Sequence, residues 1–384
     1  MDIALSDDKK EKFICYIDLL ASVINNTQPP NIPKDFDWEF ICRNAQRNNV
    51  LNILGYAVNN LENKPDEQLI KVIENDRRYS ILKETSQLFQ VEKVLQEFEK
   101  AEIKNLPLKG YHIKLLYPRS DLRTMNDVDI LVDKKDFKKI AKIFESLGYT
   151  NKNVLKSTEI HFTKDLLYFE IQSDLNSGED TYYDNIWDKL TLRDDYNYSY
   201  NMTLEDFYIY MVYHCANHFK SGGIGIRMVM DIYVFLKSYP DLDFEYVNGE
   251  FEKIGIITFA KRLKKLALNW FSQDKTEIDN FGEFILYSST YGTRDIHFFQ
   301  SANRSKKGYW IKEIFIPYKS MKNRFSYLLR FPFLLPVSWV QYWFIRLFIS
   351  RDINFKSGIS DRINNLDQKN GEFVKNLMDE LEIE

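Results

Sequence analysis

The chain has 384 residues, with 52 Lys and Arg against 56 Asp and Glu for a net charge of −4, and only 14 Gly and 10 Pro. That length suits two or three domains with a core that needs no covalent staples. The composition excludes collagen-like, linker-rich and disordered classes, and the charge balance argues against coating nucleic acid by bulk charge. Three cysteines, Cys15, Cys42 and Cys215, show no CxxC spacing, which excludes a disulfide framework and a cysteine-type zinc site.

The opening MDIALSDDKKEKF has no basic stretch followed by an apolar one, so it does not read as a signal peptide and the expected location is cytoplasmic. Phe13, Ile17, Leu20 and Ile24 recur at helical spacing and predict an amphipathic helix over 8–26, broken by Pro29, Pro30 and Pro33. Asp37-Trp38 opens a second helical pattern to about Asn60, with Phe40, Ile41, Ala45, Leu51 and Leu54 inward. From Pro65 to about Ile103 neither Pro nor Gly intervenes, and apolar residues such as Leu69, Ile73, Val91, Leu95 and Phe98 predict one long helix or two in line. These first hundred residues carry no evident chemistry.

The pattern changes near residue 104. Short strands are expected over 105–108, 128–132, 160–162 and 166–172, with helices over 110–116 and 136–147 between them. Pro118 stops the first of these helices, and Gly148 is a suitable C-terminal cap for the second. The order β-α-β-α-β-β predicts a small mixed sheet, hence an α+β fold with an α/β core flanked by helical regions. Helices are expected again over 204–220, 226–238 and 251–271. The organisation reads as helical 1–103, an α/β core over 104–200, a helical bundle over 201–300 packing on the core's cleft, and a basic, aromatic-rich helical tail over 301–384.

The informative stretch is NLPLKGYHIKLLYPRSDLRTMNDVDI, residues 105–130. Side chains alternate faces in a strand, so Asp127 and Asp129 point the same way while Val128 faces the core. Two carboxylates that close repel each other unless a cation lies between them. Oxygen ligands of this kind suit Mg²⁺ (or Mn²⁺), which completes its shell from water and substrate phosphates. A bare DxD also fits a strand end with two solvated acids, so its neighbours decide. Glu170, in LLYFEIQSD, alternates with Phe169 and Ile171. If its strand pairs with the Asp strand, three carboxylates converge as in sites that clamp an in-line displacement at phosphorus. Lys109-Gly110 stands at a strand-to-helix turn, where backbone N–H groups bind anions and Gly admits a phosphate closely. Lys109 adds a point charge, and Arg119 and Arg123 lie where they could neutralise a triphosphate. Each alone reads as a surface ion pair; together and in this order they point to metal-dependent phosphate chemistry.

LKG, a helix ending in YP, the run R-x-M-x-D-x-D-I-L-V and a helix ending in LGY resemble a largely uncharacterised bacterial nucleotidyltransferase family of the DNA-polymerase-β-type superfamily. LEDFYIYMVYHCANHF followed by IGIRMVMDIYVFL is similar to that family's helical segment with paired histidines and an R-x-x-x-D element. Asp37-Trp38 resembles its N-terminal region, and IPYKSMKNRFSYLLRFPFLLPVSW its C-terminal tail. The resemblance implies Asp127 and Asp129 as metal ligands, Glu170 as the third carboxylate and Lys109-Gly110 as the nucleotide-phosphate element. It also implies transfer of a nucleoside monophosphate from an NTP to a hydroxyl, with release of pyrophosphate. Two departures stand out. The superfamily's turn is usually Gly followed by Ser or Gly, whereas Lys109 precedes Gly110 here, a trait of the family. The third-acid strand often reads E-L-H, whereas here it is Glu170-Ile171-Gln172.

His214 and His218 are four apart on one helix face but lack the HExxH glutamate and a third ligand, so they are expected to line the substrate cleft. His161 is expected to position Glu170 or a phosphate. Arg227 and Asp231, also four apart, read as a structural pair or a brace of the cleft. Cys215, mid-helix among core-type residues, gives no support to a nucleophilic triad. The acceptor stays open among RNA, protein, a sugar and a small molecule. Two other classes fit part of the pattern. A DxD glycosyltransferase using a nucleotide sugar would need a larger α/β domain ahead of the Asp pair, and a non-catalytic nucleotide-binding module would keep the fold alone. Residues 331–350 are apolar but carry Pro332, Pro336, Gln341 and Arg346, and Arg near a helix centre costs about 2.5–3.5 kcal/mol on insertion, so no span is expected. Residues 301–350 hold nine Lys or Arg, among them Arg304, Lys306, Lys307, Lys312 and Arg346, against the single acid Glu313. Interleaved with aromatics, that net +8 suits contact with RNA or an anionic membrane, or a helical tail packed on the core with its charges solvated.

Overall fold

The computed structural model describes residues 3–151, 158–176, 181–272, 276–290, 292–293, 315–316, 318–344 and 368–383. Helix α1 (Asp7–Asn25) ends where Asn26 turns left-handed, at φ 54°. The helix expected from Trp38 to about Asn60 is two, α2 (Trp38–Arg47) and α3 (Leu51–Val58). Between them Asn49 takes φ 53°, which Asn tolerates better than most residues, and the Val50 N–H donates back to the Ala45 carbonyl at 3.0 Å. Helix α4 (Glu67–Lys100) is a single helix of 34 residues, capped by the Asp66 carboxylate, which accepts from the Gln68 and Leu69 N–H groups.

The chain then enters a five-stranded sheet of β1 (Asn105–Pro107), β2 (Val128–Val132), β3 (Thr150–Asn151), β4 (Glu159–Lys164) and β5 (Leu167–Gln172), in the order β1-β2-β5-β4-β3. Strands β2 and β5 pair in parallel and their other neighbours are antiparallel, so the sheet is mixed as expected. Between β1 and β2 the helix expected over 110–116 is one α-turn, α5 (Gly110–Ile113), continued as a 3-10 turn over Lys114–Leu116. Helix α6 (Phe137–Ser146) leads towards β3, and Gly148 at φ 81° follows its end. Strand β2 is buried along its whole length, as a central strand must be, whereas β5 alternates Phe169 and Ile171 in the core with the more open Tyr168, Glu170 and Gln172. Phe144 of α6 stacks on Phe162 at 4.1 Å and closes this core from one side.

A two-stranded ribbon, β6 (Thr191–Leu192) with β7 (Tyr200–Asn201), was not apparent in the pattern; its strands are too short to show a period. Helices α7 (Leu204–Ser221) and α8 (Ile226–Ser238) fall where expected. The helix expected over 251–271 divides into α9 (Phe244–Ile254) and α10 (Ile257–Phe271), with Gly255 at φ 73° between them. Then come α11 (Asn280–Tyr287), α12 (Tyr318–Arg324), α13 (Leu335–Phe344) and α14 (Gln368–Glu380).

One apolar cluster holds the sheet against α4 and α6. A larger one joins α1–α3 to α7–α11 and α14. Met321, Leu328 and Tyr342 form a small third cluster in the tail. Among the described residues no helix is long and apolar enough to cross a membrane. Arg304, Lys306, Lys307, Lys312, Glu313 and Arg346 lie outside the described residues.

Candidate active site

The Asp pair sits at the start of β2. Parallel pairing with β5 sets Asp129 directly opposite Glu170, and both neighbours of Glu170 are locked into the core. Carboxylate oxygens of Asp127, Asp129 and Glu170 all lie within 4.8 Å of one another. Of the three acids that the sequence nominated, Asp129 and Glu170 are therefore brought together by sheet register, and Asp127 joins them from the residue just ahead of β2.

At the other side of this cluster, the Leu108 N–H donates to the Asp129 carbonyl at 3.0 Å, and the chain turns sharply into α5. Lys109 makes that turn at φ 44°, a strained region for a residue with a side chain, and its Nζ reaches Asp129 Oδ1 at 3.1 Å. Gly110 follows, where a Cβ would come within 2.8 Å of Met125 Cγ, so the close approach of turn and loop favours glycine.

Electrostatics follow from this crowding. Burial, then Asp129, push the Glu170 carboxyl up to about 7. Asp129 is also raised by burial, against the pull of Lys109. Burial works against the Lys109 ammonium, but Tyr210 and the Asp129 and Asp127 carboxylates outweigh it and hold its pKa above the ordinary value. His214 and His218, on α7, pack edge to face with ring centroids 4.4 Å apart. Burial and then Lys109 lower both, so at neutral pH they are uncharged hydrogen-bonding groups.

These residues line a cavity of about 400 Å³ between the sheet and α7–α8. A second cavity, of about 350 Å³, shares Lys109, His214 and His218 with it and is completed by polar groups that include Gln172, Asp174 and Asn217 and by the rings of Tyr210 and Tyr213.

The arginines separate. Arg123 lines the first cavity, but its Nε donates to both Asp231 oxygens at 2.7 and 2.9 Å, and its Nη1 to the Thr124 carbonyl. Asp231 also accepts from the Tyr117 hydroxyl at 2.8 Å, and Arg227 donates to the Thr124 carbonyl at 3.3 Å. The R-x-x-x-D element thus braces the loop that precedes Asp127. Arg119 is outside the cavity, paired with Asp121 at 3.2 Å and lying over the Tyr56 ring. Lys83 of α4 was not singled out in the sequence, since nothing local distinguishes it on a long charged helix; it reaches Asn126 Oδ1 at 3.5 Å beside the Asp pair. His161 faces Glu170 across β4–β5, with Tyr168 hydrogen-bonded to its Nδ1. Among the described residues, no group of metal-type ligands includes His214 or His218.

Comparison with solved structures finds the solution structure of the antibiotic-resistance factor ANT(2'')-Ia, at 11% identity and a TM-score of 0.34, with 44% of this chain and 94% of that one covered. No curated protein matches the chain. A family profile matches residues 34–272, more than half of the chain, and takes in the sheet, the carboxylate cluster and α7–α10. The chain belongs to that family, the uncharacterised nucleotidyltransferases.

Proposed function

We propose that the protein transfers a nucleoside monophosphate from an NTP to a hydroxyl acceptor, releases pyrophosphate and uses Mg²⁺ as its ion. The observation that carries this reading is the register of β2 and β5, which gathers Asp127, Asp129 and Glu170 within 4.8 Å. Three carboxylates so placed repel one another, and Lys109 touches only one of them, at 3.1 Å on Asp129. The all-oxygen donor set fits a hard divalent cation, with Mn²⁺ as a natural substitute. Asp127, Asp129 and Glu170 would hold it. Bound there, the ion neutralises the triphosphate and polarises the phosphorus under attack.

The chain's own groups do the rest. The Gly110 turn admits the phosphates and Lys109 places a positive charge on them. Glu170 helps to hold the ion or takes the proton of the acceptor hydroxyl. His214 and His218 hydrogen-bond substrate as neutral rings, and the cavity beyond them receives a polar acceptor. Arg123, already balanced by Asp231, orders the loop ahead of Asp127. This work is positioning and electrostatics. The bacterial origin and DNA-polymerase-β-type superfamily implied by sequence resemblance belong to the same proposal, as does a cytoplasmic location. A glycosyltransferase reading has less support, because the described residues ahead of β1 form helices and no nucleotide-sugar α/β domain.

The test is incubation with Mg²⁺, each α-labelled NTP and a panel of RNA, protein and small polar acceptors. Asp127→Asn and Asp129→Asn are expected to reduce label transfer to background; the metal-free unfolding midpoint stays at or above that of the parent in Asp127→Asn, which removes a repelling charge, and falls in Asp129→Asn, which also takes away the buried partner of Lys109. Full turnover by both variants would sink the assignment.

A further inference from the structure

A second set of ligating side chains stands on the far flank of Glu170. In the antiparallel pairing of β4 and β5, His161 is opposite Glu170 and Glu159 is opposite Gln172, so Glu159, His161 and Glu170 share one face of the sheet. Their ligand atoms lie within 4.8 Å of one another. His161 is only 9% exposed, and the Tyr168 hydroxyl, on the same face, is hydrogen-bonded to Nδ1. That contact fixes the imidazole and leaves Nε2 on the side of Glu159, in the manner of the outer partners that orient metal-binding histidines. Nε2 stands 3.7 Å from Glu159 Oε1, longer than a hydrogen bond. Two ligands bound at about 2.1 Å to one tetrahedral ion are separated by about 3.4 Å, close to that spacing.

We propose that Glu159, His161 and Glu170 form a site for a first-row divalent transition ion, zinc above all, beside the all-oxygen cluster and sharing Glu170 with it. The donor set decides the class. An imidazole nitrogen with two carboxylates suits zinc and disfavours Mg²⁺, which prefers oxygen and keeps its water. Asp127 and Asp129, one strand further over, supply only oxygen. The sheet thereby sorts two kinds of ion onto the two flanks of a single carboxylate. The inference does not depend on the transfer reaction, because it concerns binding of a metal alone.

The full chain, stripped of metal, is titrated with Zn²⁺ by calorimetry in excess Mg²⁺. One zinc per chain is expected, with affinity lowered tenfold or more in Glu159→Gln and in His161→Asn and unchanged in Asp127→Asn. X-ray absorption of the zinc-loaded parent should show one imidazole nitrogen among oxygen ligands. Glu159→Gln is isosteric at a partly exposed side chain, and its metal-free unfolding midpoint verifies the fold. Undiminished binding in both flank variants, loss of binding in Asp127→Asn instead, a shell without imidazole, or no zinc binding by the parent would each overturn the proposal.

Discussion

Glu170 is a carboxyl whose surroundings move it from the ordinary 4.5 to about 7, chiefly by burial and then by Asp129. The sign of the consequence is fixed by linkage. A carboxyl raised in the fold supports the metal-free protein fully below the unfolded value, and that support is lost as pH climbs through about 7. Asp129 moves in the same direction. A divalent ion needs the charged carboxylates, so Mg²⁺ affinity should rise over the same interval and level off above it. We expect the metal-free melting temperature to fall between about pH 4.5 and 7 and the increment given by Mg²⁺ to grow, with Glu170→Gln flattening both trends. A Mg²⁺ increment in the parent that ignores pH would remove Glu170 from the ligand set. These acids were legible in the sequence because strand alternation fixes which side chains share a face. The partners of Arg123 were not: Asp231 lies far along the chain, and no local spacing couples the two.

At the scale of elements, α8 is bound to the loop ahead of β2 by an almost dry ion pair, with the Arg123 and Asp231 side chains 11% and 10% exposed. Removing one partner leaves the other charge buried and unmatched, which costs about 3–5 kcal/mol. Asp231→Ala should therefore lower stability by about that amount in urea unfolding and weaken transfer, because the same loop carries Asp127. A change below about 1 kcal/mol would show that the pair is solvated in practice. Element boundaries show where reading from sequence stops. The apolar period runs straight across Asn48–Asn49 and across Gly255, so each helix pair reads as one; only the backbone turn at a left-handed Asn or Gly divides them. Strand β5 was legible for the opposite reason, since its two-residue period has no helical alternative.

For the whole molecule, the larger core ties sequence-distant ends together. The Ile3 N–H donates to Asn370 Oδ1 at 2.9 Å, and Val374, Leu377, Leu381 and Ile383 are buried in the cluster that contains α1–α3 and α7–α11. A chain stopped after residue 367 loses four buried aliphatic side chains at about 1.5–3 kcal/mol each. That is about half or more of a typical domain's stability. We expect the shortened chain to melt far below the parent or to be recovered unfolded; an unchanged midpoint would mean α14 is dispensable. Periodicity predicted the first helix, and the end of the chain was expected only as a helical tail with α14 not placed in it. Composition and periodicity could not record that the first and last helices face the same interior, because that is a property of pairs distant in the chain.

The parallel register of β2 and β5 also limits how this site can change in evolution. Phe169 and Ile171 flank Glu170 and are fully buried, so moving β5 by one residue would send Glu170 into the apolar interior and expose an aromatic or a branched aliphatic in its place. The core thus acts as a proofreader of where Glu170 is placed: an insertion or deletion within β5 is a folding error, with an apolar side chain exposed and a carboxyl buried, before any chemistry is tested. The register tolerates a change of length best in the turn between β4 and β5, at Asp165–Leu166, where the chain already makes a left-handed bend at φ 51°.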